Sequence, residues 1–141
     1  MIEINAPPIR LGELGRMDAV SRSPRRLVVI DDDVQLLHSM RFALETEGYA
    51  VTTFASGEEA LQSRFVDDPT CLIVDQRLPG LSGMETISRL RMMGVAAPAI
   101  LVTSNPSNLL RRRAARARIS IVEKPLLGDV LRLTLEAVLA D

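Results

Sequence analysis

The sequence predicts an α/β domain in which helices cover both faces of a doubly wound, parallel, five-stranded sheet. Three observations carry that expectation. Five short, nearly all-apolar runs alternate with five stretches of helical character, the pattern of strands buried on both sides. Charged or hydroxyl residues close four of the five runs. A length of 141 residues, 47% apolar and 25% charged, suits one globular domain and leaves little room for a second.

Composition removes several classes of function. A net charge of −1 supplies no field to draw in nucleic acid or an acidic membrane surface, so neither is expected as a direct partner. The longest apolar runs fall far short of the roughly 18 residues a membrane span needs. Residues 1–26 lack the apolar stretch of a secretory signal. The single cysteine, Cys71, rules out an internal disulfide framework and a CxxC metal knuckle. The single histidine, His38, rules out the common His-rich zinc and triad sites. A reducing cytoplasm is the expected setting. Of the 17 basic residues only Lys124 is a lysine, a compact point charge where arginine offers a planar fork.

Residues 1–25 contain Pro7, Pro8, Pro24, Gly12 and Gly15 without a sustained period and are expected to form a flexible tail ahead of a domain over 26–141. The apolar run 26–31 then reads as strand one, ending in acids. Residues 34–47 carry Leu37, Met40 and Leu44 at helical spacing, with Gly48 where a C-terminal cap belongs. Residues 49–54 read as strand two. Ser56 and Glu59 form a capping-box signature for a short second helix. Residues 71–75 are strand three, ending in Asp75. Ser82 and Glu85 repeat the capping box, opening a helix that runs to about Met93. Residues 99–103 are strand four, 107–117 a fourth helix, 119–122 strand five and 129–139 the last helix.

In open α/β sheets, ligands bind beyond the carboxyl ends of the strands. Strand one delivers Asp31, Asp32 and Asp33 there, strand three Asp75, strand four Thr103, and strand five Glu123, Lys124 and Pro125. Two carboxylates about 4 Å apart repel by around 4 kcal/mol at an effective dielectric near 20, so such a cluster binds a cation or protonates. Oxygen ligands without His or Cys favour a hard cation, Mg²⁺ by default. A carboxylate beside Mg²⁺, with a lysine and a threonine at the same rim, is equipment for phosphoryl transfer to aspartate. Taken singly, the acids could cap the first helix, Thr103 could be a buried strand hydroxyl and Lys124 a surface charge. Their joint appearance at four strand ends favours the site.

The runs Val28-Val-Ile-Asp-Asp-Asp33, Leu72-Ile-Val-Asp-Gln-Arg-Leu-Pro-Gly-Leu-Ser-Gly83, Pro98-Ala-Ile-Leu-Val-Thr103 and Glu123-Lys-Pro125 together resemble the receiver domain of bacterial two-component response regulators, across residues 26–141. The resemblance implies a flavodoxin-like sheet of order 2-1-3-4-5. It implies that Asp75 is the phosphoacceptor, that Asp32 binds Mg²⁺ directly, and that Asp31 acts largely through water. The main-chain carbonyl of Arg77 would be a further metal ligand. Thr103 and Lys124 would contact the phosphoryl oxygens, and Pro125 would follow a cis peptide. The phosphoryl group would come from a histidine kinase or a histidine phosphotransfer protein, and Mg²⁺ would assist its later hydrolysis.

Two departures from the family stand out. The switch position three residues before the lysine, usually Tyr or Phe, is Ile121. The usual Ala-Gly before strand five is missing from a slightly short segment that carries Arg111, Arg112, Arg113, Arg116 and Arg118; that helix is either a solvated face or an output face for an acidic partner. The Arg77 side chain either leans over the phosphoryl group or points to solvent. Leu36, Ser39, Phe42 and Ala43 face away from the core stripe of the first helix and are expected to dock the kinase, the alternative being that Phe42 packs on the last helix. Val130, Leu133 and Ala137 make a second apolar stripe on that last helix. The resemblance implies a homodimer through the segments 107–117, 119–122 and 129–139. The chain is expected to work as a stand-alone receiver, signalling to a downstream protein by contact and not as an enzyme. An Asp-nucleophile phosphatase and a fragment of a larger regulator are the competing readings. The former fits poorly, because such enzymes take their nucleophile from the first Asp of a D-x-D pair after strand one, whereas here the acids are adjacent and the matching Asp, Asp75, lies after strand three.

Overall fold

The computed structural model describes residues 24–63, 68–126 and 128–140; the expected tail, except Pro24 and Arg25, lies outside them. The elements in chain order are β1 Arg26–Ile30, α1 Val34–Thr46, β2 Ala50–Phe54, α2 Gly57–Ser63, β3 Cys71–Asp75, α3 Gly83–Met92, β4 Ala99–Thr103, α4 Asn108–Arg116, β5 Ile119–Glu123 and α5 Val130–Leu139. All neighbouring strands are parallel, and their order is β2-β1-β3-β4-β5. The flavodoxin-like order implied by the resemblance is the one observed.

The two-residue period of the strands sorts the core into two layers. Val28, Ile30, Leu72, Val74 and Leu101 face α2, α3 and α4, where they meet Ala60, Ile87, Leu90 and Ala114. Leu27, Val29, Ile73, Ile100 and Val102 face α1 and α5, meeting Leu37, Met40, Leu44 and Leu135. Each fully buried aliphatic side chain contributes about 1.5–3 kcal/mol. The central strands β1, β3 and β4 are therefore firmly held, and so are the residues at their ends.

Helix starts follow the local chemistry. The Asp33 side chain accepts the Leu36 N–H at 3.1 Å, and Ser107 accepts that of Leu110 at 3.0 Å. The capping box at α3 is complete: Ser82 Oγ accepts the Glu85 N–H, and Glu85 accepts the Ser82 N–H. At α2 the reciprocal arm shifts by one residue, because Glu59 accepts from Ala55 instead of Ser56. Gly48, at φ +100°, closes the turn after α1 as its position predicts.

Between α4 and β5 the chain turns through Arg118 at φ +58°. This is the left-handed conformation that glycine adopts without strain. An arginine thus holds a left-handed turn in the segment from which the expected Ala-Gly is missing. Arg118 is exposed, so its side chain adds little packing to offset the strain. Arg118→Gly is expected to raise stability by about 0.5–1 kcal/mol and the melting midpoint by a few degrees. A midpoint at or below that of the parent in thermal unfolding contradicts this reading.

Candidate functional site

Register builds the site. Ile30 pairs with Val74, which brings Asp31 level with Asp75. Asp75 pairs with Val102, so Thr103 stands one residue further along β4. Thr103 in turn pairs with Glu123, and the next N–H, that of Lys124, donates to the Thr103 carbonyl at 2.8 Å. At the floor of α3, a Cβ on Gly83 would collide with the Asp75 carbonyl oxygen. Only glycine lets that helix start so close behind the strand.

Asp31, Asp75 and Thr103 are buried, whereas Asp32 is exposed. One oxygen from each of the three aspartates falls within 4.8 Å of the others. At that limit each pair repels by roughly 3.5 kcal/mol at an effective dielectric near 20. Lys124 Nζ donates to Asp31 Oδ2 at 3.3 Å and lies 3.4 Å from Asp75 Oδ2. The remaining oxygens are partly engaged: Asp31 Oδ1 accepts the Asp33 N–H at 2.9 Å, and Asp75 Oδ1 the Arg77 N–H at 3.4 Å. Burial, and then the charge of Asp31, push the Asp75 carboxyl above its ordinary value despite Lys124. Burial pulls Lys124 down, but Asp31 and Asp75 outweigh it and hold the ammonium above its usual range.

Three carboxylates against one ammonium leave the cluster short of positive charge. All its donors are hard oxygens, and no described residue donates to or pairs with the exposed Asp32 carboxylate. This donor set fits Mg²⁺. Arg77 lies in the connection from β3 to α3. Its side chain is exposed and lines a recess of about 350 Å³ that also takes in Gln76, Thr103, Asn105 and Arg113. Ile121 is half-buried against the layer under α2, α3 and α4. Pro125 follows a cis peptide, as the resemblance implied.

The four expected docking residues divide into two groups. Leu36, Ser39 and Ala43 line a groove of about 250 Å³ against Leu126, Leu131 and Arg132, and Leu36 is partly buried against the core. Its placement on the open face of α1 is corrected accordingly: it stands at the seam with α5. Phe42 is 75% exposed, which overturns the alternative that it packs on the last helix. Val130 and Leu133 are exposed at about half their surface, and Ala137 is exposed beside them. Among the arginines of α4, Arg111 is engaged with Glu123 at 2.7 Å.

Two residues of the site escaped sequence reasoning. Gln76 donates its N–H to the Val102 carbonyl and accepts the Met84 N–H on Oε1 at 2.9 Å, tying the end of β3 to α3. Glu58, in α2, accepts the Leu81 N–H at 3.0 Å across 23 residues. Its place in a local capping pattern gave no hint of that reach.

Comparison with known proteins agrees with the geometry. Residues 27–136 match the response regulator receiver domain, and the chain belongs to that family. Nodulation protein W of Bradyrhizobium diazoefficiens is 30% identical over 130 residues, covering 92% of this chain and 55% of that protein. Transcriptional regulatory protein TrcR of Mycobacterium tuberculosis is 32% identical over 97 residues, covering 69% and 38%. A CheY-like receiver domain protein from Methanospirillum hungatei superposes with a TM-score of 0.74 at 26% identity, covering 82% of this chain and 94% of that one. The chain thus spans about half or less of the curated relatives, and stand-alone working rests on the sequence expectation alone. Receiver domains are phosphoacceptors that bind Mg²⁺ through acidic residues and meet histidine kinases or phosphotransfer proteins. Among the described residues, no helix is long and apolar enough to cross a membrane.

The raised Asp75 value sets a sign. Asp75 holds its proton more tightly folded than unfolded, so the metal-free fold gains stability as pH falls through the folded value toward the ordinary one. In chelator, Asp75→Asn is therefore expected to melt above the parent near pH 7, with the gap narrowing toward about pH 4. Thermal unfolding at the two pH values checks this; a parent that melts higher than the variant near neutrality contradicts it.

Proposed function

We propose that this receiver accepts a phosphoryl group on Asp75 from the phosphohistidine of a histidine kinase or phosphotransfer protein, in the cytoplasm, and passes the signal on by protein contact. The observation that carries the reading is the Lys124 ammonium held 3.3 Å and 3.4 Å from the buried Asp31 and Asp75 carboxylates. Asp31, Asp32, Asp75 and the Arg77 main-chain carbonyl are the groups that would hold Mg²⁺. When bound, Mg²⁺ offsets the charge of the carboxylates and of the phosphoryl oxygens.

The chain's own residues do the rest. An Asp75 carboxylate oxygen attacks phosphorus; the new P–O bond forms as the P–N bond to imidazole breaks. The imidazole nitrogen keeps the bonding pair and takes up a proton from water. Lys124, already beside Asp75, turns its N–H donors to the phosphoryl oxygens, and the Thr103 hydroxyl, one residue further along the adjacent strand, supplies another. Ile121 takes the switch position with an aliphatic side chain, so movement of Thr103 is relayed by repacking without an aromatic ring. The exposed stripe of Val130, Leu133 and Ala137, on the helix that follows β5, suits the homodimer expected from the sequence.

Incubation with phosphoramidate and Mg²⁺ is expected to add one phosphoryl group to the parent, read by intact mass, and none to Asp75→Asn. Undiminished labelling of the variant, with no label moved to a neighbouring acid, would falsify the assignment.

Kinase docking is assigned to the outer side of α1, with Phe42 at its centre. Because Phe42 is 75% exposed, Phe42→Asp should leave the melting temperature and small-donor phosphorylation nearly unchanged. Transfer from the cognate phosphorylated kinase should slow by about tenfold or more, the loss of one apolar anchor. Equal transfer rates for the parent and the variant would move the docking surface elsewhere.

A further inference from the structure

The connection from Asp75 to α3 carries the Arg77 carbonyl, and its two ends are fastened independently. At one end the Gln76 N–H donates to Val102 at 2.9 Å. At the other, Gly83 and Met84 donate to the Gln76 carbonyl and side chain at 3.0 Å and 2.9 Å. Between those ends, over residues 77–81, two hydrogen bonds hold the segment among the described residues. One is the long Arg77 N–H contact with Asp75 at 3.4 Å. The other is the Leu81 N–H on Glu58 Oε2 at 3.0 Å, the one bond that reaches this stretch from another element of the fold.

Gly80 shows how closely Glu58 approaches. It sits at φ +78°, and a Cβ there would run into the Glu58 carboxylate. The segment therefore bends through a glycine directly beneath the carboxylate that grips the next N–H. Glu58 is exposed in the first turn of α2, where an acid also suits the helix end. A charged acceptor on a backbone N–H is among the stronger hydrogen bonds, but at an exposed position it contributes direction more than stability.

We infer that Glu58 is a positioning residue for the metal site: it sets the path of residues 77–81, and through it the Arg77 carbonyl and the Arg77 N–H on Asp75. The inference rests on the reading of the site as a Mg²⁺-dependent phosphoacceptor, and deepens it by adding α2 to the elements that shape the site. Three strand ends supply the charges, and α2 holds the connection that supplies the remaining ligand.

The test compares Glu58→Ala, which removes the acceptor, with Glu58→Gln, whose amide oxygen can still accept the Leu81 N–H. The chain has no tryptophan, so Mg²⁺ affinity is measured by titration calorimetry on metal-free protein, and the Leu81 amide is followed by hydrogen exchange. Glu58→Ala is expected to weaken Mg²⁺ binding by up to about tenfold, the lower end of what loss of a group bonded directly to a ligand costs, and to hasten Leu81 exchange, with the melting temperature little changed. Glu58→Gln should restore most of both. A Glu58→Ala protein that binds Mg²⁺ like the parent overturns the inference, even if it melts lower, because that result marks a purely structural contact. If Asp32→Asn weakens Mg²⁺ binding while Glu58→Ala does not, the positioning role alone falls. A parent that binds no Mg²⁺ takes the phosphoacceptor reading down with it.

Discussion

The Lys124 ammonium between Asp31 and Asp75 is the interaction on which the site depends. Two buried carboxylates side by side repel, and a third stands at their mouth; one lysine cannot neutralise all three. Such an arrangement persists only where the surrounding fold over-determines it. Here the parallel register does so: Asp31 and Lys124 directly follow the paired positions Ile30 and Glu123, and Asp75 is itself paired with Val102. The incomplete neutralisation leaves the cluster short of positive charge, which a divalent cation can supply.

The core serves that edge. The nearly all-apolar strands β1, β3 and β4 are buried on both faces, so their ends move little, and the charge strain falls on residues whose backbone cannot retreat. The connections behave differently. The turn at Arg118 adopts a left-handed conformation on an exposed arginine, and the segment after Asp75 hangs between Gln76 and the carboxylate of Glu58. The frame is fixed by burial, and the connections by a few single hydrogen bonds.

Most of the frame was legible in the sequence because its signals are local. Apolar runs marked all five strands to within a residue or so, Ser82 and Glu85 marked the start of α3, and the strand-end acids marked the edge. The strand order came only with the family resemblance, since apolar runs alone do not say which strand pairs with which. The misses share one cause: they depend on contacts between distant segments. Nothing local singled out Glu58, and its grip on Leu81 spans 23 residues. Leu36 and Phe42 looked alike on a helical projection. The position of α5 separates them, burying part of Leu36 at the seam and leaving Phe42 in water.

The central claim is that Lys124 is a transferable charge, held by Asp31 and Asp75 until a phosphoryl group arrives. A high-resolution crystal structure with Mg²⁺ and beryllofluoride, a phosphoryl mimic, tests it most directly. The account predicts the mimic on Asp75, a cation against Asp31, Asp32 and the Arg77 carbonyl, and Lys124 moved from Asp31 onto a fluorine of the mimic. Lys124 still bonded to Asp31, or a cation bound away from these aspartates, would contradict it.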